Sequence, residues 1–569
     1  MDTDKKYTKY IIFFMLAMLI FKVCILMGTY PSGDACWHLS VSKYIGETYT
    51  IPTFVNLERD AFSRPPLFHV VSGMFYDFGR FLYLPASNFI LQLPNVIFSI
   101  LSIWLLYLII KRIYSNRAAF LSAVLFGCLP IVLELGTQAY VETLLTFLVL
   151  FTVYLSLKDK KLLSGVALAL VLLTNINGFF IVPLIAYIHY YNEKNKNRKD
   201  KVVIRKNHSN NGNKKTSQWR PVLCSLAVIA LAVILSSPQY IYTYTEFHNP
   251  IWPILNSVFH GRTDYSEAIP FQSFTFGEKI SSLPREALTV YTELFGLPSG
   301  NVDYLSGLGY IKYMFYAWFI ATLPILILFI GGSWLIIKWQ QKKKSGKSLL
   351  NRSTDDNFNL WFFALWIIPS LLLCVFYVFS STADTHARYF FEALPAIAAV
   401  MIIGFLTMLE LKFFKRASKS SKKNNTYILI IKILFVAFIA AFLATSVVKT
   451  YFNNSTWRGI SSDADSVEHI IPQYSNVLTA NSCLTYYLHS YSVYPTNNTA
   501  LSDNKGFLYY TENYASGYTF PDNQLNKVDY IWIDTLSDSK ELDNVAESLK
   551  TELIYEDNTT NTKVYKIIK

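Results

Sequence analysis

Residues 10–28, YIIFFMLAMLIFKVCILMG, form the first of a series of apolar runs that recur along the chain. A bilayer core about 30 Å thick needs roughly 20 apolar residues per helix. A backbone in hydrocarbon must also satisfy its own polar groups, so such runs fold as helices. Eleven candidate spans follow, near 10–28, 88–110, 118–133, 139–157, 162–174, 176–190, 221–241, 311–337, 359–379, 389–410 and 428–448. The third, fifth and sixth are short, which predicts tilted or paired segments, with TNINGFF (174–180) as the hairpin between the last two. The first run lacks a small-residue cleavage site and continues straight into GDACWH, so it reads as a retained span. The expected class is a multi-span α-helical membrane protein of about eleven transmembrane helices.

The net charge of +12 could suggest nucleic acid, but its distribution argues otherwise. With a cytoplasmic N-terminus the inner loops are 1–9, 111–117, 158–161, 191–220, 338–358 and 411–427. They hold 31 of the 51 Lys and Arg residues. Basicity of this kind sets topology, and the Lys-rich stretch 193–215 reads as a solvated loop on anionic headgroups. No nucleic-acid partner is expected. Six Cys residues have no metal-ligand spacing; only Cys36 and Cys483 fall outside the apolar spans, where a disulfide between them is conceivable.

This topology leaves three pieces on the outer side: residues 29–87, residues 242–310 and everything after 449. The last differs in character. VDYIWID (528–534), TELIYE (551–556) and TKVYKII (562–568) are strand-like, and 538–550 has a polar helical pattern. A transmembrane unit over 1–448 and a small extracytoplasmic α/β domain over 449–569 are therefore expected. Sequons at Asn453, Asn454, Asn497 and Asn558 cluster in that tail.

Polar residues gather at the outer ends of the spans. Asp34 and His38 are spaced i, i+4, so a helix after Pro31–Gly33 would present both on one face, with Asp34 either capping the helix or available as a base. In FSRPPLFHVV (62–71), Pro-Pro fixes the backbone beside Arg64, whose planar fork suits a phosphate; an interfacial headgroup anchor is the alternative. His69 lies in the same stretch. Gln138 and Glu142 stand i, i+4 where the fourth span begins, and a carboxylate there should face protein or water. TEFHNPIWPILN (245–256) pins an aromatic loop carrying Asn249 and Trp252 to the membrane surface. STADTHARYFFEALPAI (381–397) brings Asp384, His386, Arg388 and Glu392, the last two at the i, i+4 spacing of a mutual ion pair.

Taken in order, GDACWHL, SRPPLFH, QAYVETLLTF, NPIWPILN and ARYFFEALPA resemble the motifs of the GT-C superfamily, in particular its family 39 group, which contains protein O-mannosyltransferases and the lipid A aminoarabinose transferase. The likeness covers about residues 10–410. There are departures: Ala35 stands where the protein O-mannosyltransferases have Glu after the first Asp, and Glu142 where Asp is commoner. The Trp-Trp-Asp stretch of oligosaccharyltransferases is absent from the sequence.

The resemblance implies a polyprenyl- or dolichyl-phosphate-sugar-dependent glycosyltransferase that inverts the anomeric carbon at the outer face of the cell membrane. Its partners would be the lipid bilayer, the lipid-linked sugar and a glycan, protein or lipid acceptor. It implies Asp34 as base with Glu142 as second carboxylate, and Arg64 and Arg388 on the donor phosphate. His38, His69, Gln138, Asn249, Trp252 and His386 are pocket candidates. No cofactor is assigned; were a divalent ion used, Asp34, His38 and Glu142 would be its ligands. A secondary transporter is the main rival, and a membrane scaffold presenting the tail the next. Against the transporter, the polar residues sit at span ends rather than at mid-membrane, and no repeated halves are visible.

Overall fold

A computed structural model describes residues 2–51, 65–83, 88–206, 219–252, 356–380 and 387–409, together with shorter stretches of 259–277 and 433–569. The helical part begins with α1 (Asp2–Met27), α2 (Asp34–Thr48), α3 (Leu67–Phe81), α4 (Asn88–Ile113), α5 (Asn116–Cys128), α6 (Pro130–Leu135) and α7 (Val141–Leu157). It continues with α8 (Lys161–Leu172), a 3-10 segment Ile176–Ile181, α9 (Val182–Lys206) and α10 (Arg220–Phe247). After residues outside the description come the helix Asp356–Ser380, a 3-10 segment Ala387–Ala393 and the helix Leu394–Leu409. Among the described residues, Asp4–Met27, Phe89–Ile113, Arg220–Phe247 and Arg388–Leu406 are long and apolar enough to cross a membrane by length and composition. The expected span at 311–337 lies outside the described residues.

Burial sorts the helices by position. α7 is apolar all round, with fourteen of its seventeen residues buried, as befits a helix at the centre of a bundle. α4, α8 and α9 pack around it. α1 and α10 lie outside, leaving Phe13, Ile20, Leu223 and Ile234 more than half exposed. In a membrane protein such side chains face lipid.

Two expectations about these elements are corrected. The third span, 118–133, is two helices: Leu129 is extended (φ −60°, ψ 132°) because the residue before Pro130 is driven out of the α region, and α6 restarts after it. The stretch 193–206, expected as loop, continues α9 without a break, since its Lys, Arg and Asn residues are no obstacle to helix. The hairpin at 174–180 is found as expected, with Asn175 Oδ1 accepting from Asn177 N at 3.0 Å to cap the 3-10 turn.

Within the stretch 29–87 the described residues form two helices, α2 and α3. α2 and α3 pack side by side and approach closely through two glycines: a Cβ on Gly46 would lie 2.5 Å from Gly73 O, and one on Gly73 2.7 Å from Ser42 O. Tyr76 of α3 donates to Glu47 Oε1 of α2 at 2.8 Å; burial first, and this bond second, raise its phenol well above the usual range. Pro65-Pro66 opens α3 directly, and Leu67 N donates to Leu173 O at 3.1 Å, docking α3 on the end of α8. Gly46→Ala should therefore push the pair apart and destabilise by roughly 1–3 kcal/mol. Thermal unfolding in detergent checks this, with Gly28→Ala as the tolerated control, because the nearest atom to that Cβ is 3.7 Å away.

The tail holds a mixed five-stranded sheet in the order β2-β1-β3-β5-β4. Its strands are β1 (Val477–Thr479), β2 (Leu508–Tyr509), β3 (Tyr530–Ile533), β4 (Thr551–Asp557) and β5 (Thr562–Ile567). β1 runs parallel to β2 and β3, and β5 runs antiparallel to β3 and β4. The helix Lys540–Ser548 packs on β3, burying Leu542 and Ala546 against Ile531 and Ile533. β3, β4, β5 and this helix fall where the sequence expects them; β1 and β2 are additions.

Candidate active site

The α6–α7 turn is held by side chains that reach its carbonyls. Lys22, wholly buried in α1, donates from Nζ to Val132 O at 2.7 Å. Asn95 of α4 donates from Nδ2 to Leu135 O (3.3 Å) and Tyr140 O (2.8 Å), and Thr143 Oγ1 donates to Leu135 O at 2.6 Å. Buried carbonyls at a helix break must find donors, and these supply them. The turn therefore presents Gln138, Tyr140 and Glu142 in fixed positions, with Gln138 and Glu142 at 9% and 6% exposure.

The 3-10 segment Ala387–Ala393 packs against α6, α7 and the helix Asp356–Ser380, anchored by Trp366 Nε1 donating to Glu392 O at 2.9 Å. It delivers Arg388 to the same place. Arg388 Nη1 meets Asp34 Oδ2 at 2.6 Å, and the guanidinium lies over the rings of Tyr140 (5.8 Å) and Tyr389 (5.3 Å). The side chains of Arg388 and Asp34 are 20% and 25% exposed, so the pair stands at an opening rather than in a sealed core. Arg388 Nε has no hydrogen-bond partner among the described residues. Glu142 lies close enough to act electrostatically on Arg388, Tyr140 and Glu392.

This arrangement corrects two readings of the sequence. The N-cap of α2 is Gly33 at φ +53°; Asp34 is the first residue of the helix, and its carboxylate meets Arg388. Arg388 and Glu392 do not pair. The segment winds as a 3-10 helix at three residues per turn, which puts positions four apart on faces about 120° from each other.

One turn below Asp34, His38 Nδ1 and His69 Nε2 are 2.9 Å apart, joining α2 to α3. Both rings are nearly fully buried, packed edge-on against Trp37 and Phe68, with His38 also facing Tyr140 at 6.3 Å. Asn249 and Trp252 follow α10, where Trp252 stacks on Phe247 at 4.5 Å in a cluster apart from the main core. Arg64 and His386 lie outside the described residues. Among the described residues no three His, Cys, Asp or Glu side chains are gathered to hold a metal: Asp34 faces Arg388 and His38 faces His69. Tyr140 and Tyr389, which flank the guanidinium, were not singled out from sequence; aromatic neighbours in QAYVE and ARYFF were the available signal.

The family model of dolichyl-phosphate-mannose-protein mannosyltransferases matches residues 78–204, the stretch from α3 to α9 that carries Gln138 and Glu142. No curated protein matches the sequence. Among solved structures, ArnT from Cupriavidus metallidurans bound to undecaprenyl phosphate superposes with a TM-score of 0.55 at 11% identity, covering 98% of both chains. The same protein in the apo state gives 0.55 at 12% identity with the same coverage. The chain is thus a membrane protein with the GT-C, PMT-like fold.

Proposed function

We propose that this protein is a membrane glycosyltransferase that moves a sugar from a polyprenyl- or dolichyl-phosphate donor to an acceptor hydroxyl on the outer face of the membrane, with inversion. The observation that carries this reading is the Asp34–Arg388 pair. Helices from far-apart stretches of the chain bring one carboxylate and one guanidinium together at a partly open position, and Arg388 Nε has no hydrogen-bond partner among the described residues. The fold shared with ArnT, a structure of which holds undecaprenyl phosphate, supports the choice of donor.

The chemistry follows from charge. The donor is a phosphodiester monoanion whose two unesterified oxygens can take the planar fork as a carboxylate does, so it competes with Asp34 for Arg388. Arrival of the donor therefore releases the Asp34 carboxylate. The acceptor hydroxyl attacks the anomeric carbon and gives its proton to Asp34 as the carbon–oxygen bond to phosphate breaks. The lipid phosphate leaves with the bonding pair, its charge held by Arg388 and, in this reading, Arg64. Glu142, near enough to Arg388 to feel its charge, is the second carboxylate of the site. The sugar and acceptor would lie along Gln138, the His38–His69 pair and the loops bearing Asn249, Trp252 and His386. No metal enters this scheme.

Residues 1–448 form the catalytic unit and 449–569 an extracytoplasmic one in this reading. A disulfide joins Cys36 to Cys483. Disulfides persist in oxidising compartments, which supports a common external location for the start of α2 and the tail, with the N-terminus cytoplasmic. The test is mass spectrometry of glycolipids and surface glycoproteins from a strain lacking the gene. A glycan one sugar short is expected, restored by wild-type protein; an unchanged glycan profile counts against the reading.

A further inference from the structure

Among the described residues, the tail is joined to the helical bundle beside Asp34. The helix Leu484–Tyr487 turns Leu484 and the following Leu488 into the sheet's apolar cluster with Tyr530 and Trp532, while Cys483 and Tyr486 belong to the bundle's core. On the sheet side the junction is fixed by buried polar groups. Asn481 Oδ1 accepts from Cys483 N at 3.0 Å, Asn481 Nδ2 donates to Asp534 Oδ2 at 2.8 Å, and Trp532 Nε1 donates to the same oxygen at 2.9 Å. On the bundle side, Cys483 is disulfide-bonded to Cys36 (Cα–Cα 5.2 Å) and Tyr487 OH donates to Pro31 O at 2.6 Å. These two attachments bracket Gly33–Asp34, and Gly33 sits at φ +53°.

We propose that Cys483 and Tyr487 are positioning residues for Asp34: the tail braces the Pro31–Cys36 turn so that the carboxylate stays against Arg388. Both cysteines are wholly buried, so solution thiols do not reach the sulfurs while the protein is folded, and the link is a permanent brace rather than a redox switch. A free Pro31–Cys36 turn, with glycine at its centre, would sample other conformations and carry Asp34 with it. The consequence for binding rests on the reading that donor phosphate and Asp34 compete for Arg388: loosening the brace removes the competitor.

The test has two arms, run on full-length protein in nanodiscs. Hydrogen exchange compares wild type, Cys36→Ala/Cys483→Ala and, in case that variant folds poorly, Tyr487→Phe, which keeps the disulfide. Faster exchange confined to residues 31–40 and 481–488 is expected, with α4 and α7 unchanged; exchange at 31–40 that matches wild type in both variants overturns the proposal. In the second arm, titration with undecaprenyl phosphate should give a two- to five-fold tighter Kd for the cysteine variant and no further tightening when Asp34→Asn is added. General structural damage would weaken binding, so weaker binding, or tightening that adds to that of Asp34→Asn, also overturns it. Localised exchange without undecaprenyl phosphate binding by any variant, wild type included, would leave the brace standing and remove the glycosyl-transfer reading.

Discussion

Asp34→Asn should lower sugar transfer from a polyprenyl-phosphate donor by roughly 10²–10⁴-fold, the range for loss of a positioned general base. The amide keeps the size of the carboxylate and a hydrogen-bonding oxygen for Arg388, so the start of α2 should stay folded. On the proposed mechanism, what disappears is the capacity to take the acceptor's proton as the anomeric carbon is attacked. The measurement is the single-turnover rate of purified protein with saturating donor, alongside thermal unfolding to establish that the variant is intact. Turnover within a few-fold of wild type would remove Asp34 from the base role. Glu142→Gln is the natural comparison, since Glu142 sits deeper, at the entrance to α7, and influences Arg388 from a distance.

Arg388→Ala should be almost as damaging, for the opposite reason. Removing a preorganised donor to the leaving phosphate costs about 10²–10³-fold in kcat when the group acts on charge that develops in the transition state. Arg388→Lys should recover little of this. A lysine carries the charge but not the planar fork, and the stacked position over Tyr140 and Tyr389 suits a flat cation. Near-normal turnover in Arg388→Ala would place the phosphate elsewhere, with Arg64 the first alternative.

The division between what sequence made legible and what it did not is physical. The apolar runs of α1, α4 and α10 are long enough to declare themselves, and the i, i+4 spacing of Asp34 and His38 anticipates the helix that carries both. The partners of these residues were hidden. His69 reaches His38 only because Gly46 and Gly73 let α2 and α3 touch, a contact 31 residues apart that no local spacing encodes. Arg388 turned from Glu392 to Asp34 because Ala387–Ala393 is 3-10 rather than α, and the two windings share most of their sequence preferences. The Cys36–Cys483 link, conceivable from sequence, became definite only when the helix Leu484–Tyr487 was seen seated on α2. In the tail, β3, β4 and β5 have readable patterns. β1 and β2 are three and two residues long, too short for any periodicity to emerge.

The most direct measurement of the central claim, that a lipid-linked phosphate is bound where Arg388 now holds Asp34, is a titration of purified protein in nanodiscs with undecaprenyl phosphate. Wild type should bind saturably. Arg388→Ala should bind about 10–100-fold more weakly, as expected for loss of a charge-assisted contact worth roughly 1.5–3 kcal/mol. Asp34→Asn should bind up to about five-fold more tightly, the gain set by an ion pair at a partly exposed position, roughly 0.2–1 kcal/mol. Opposite shifts in the two variants are the predicted result; equal affinity of Arg388→Ala and wild type would contradict the account.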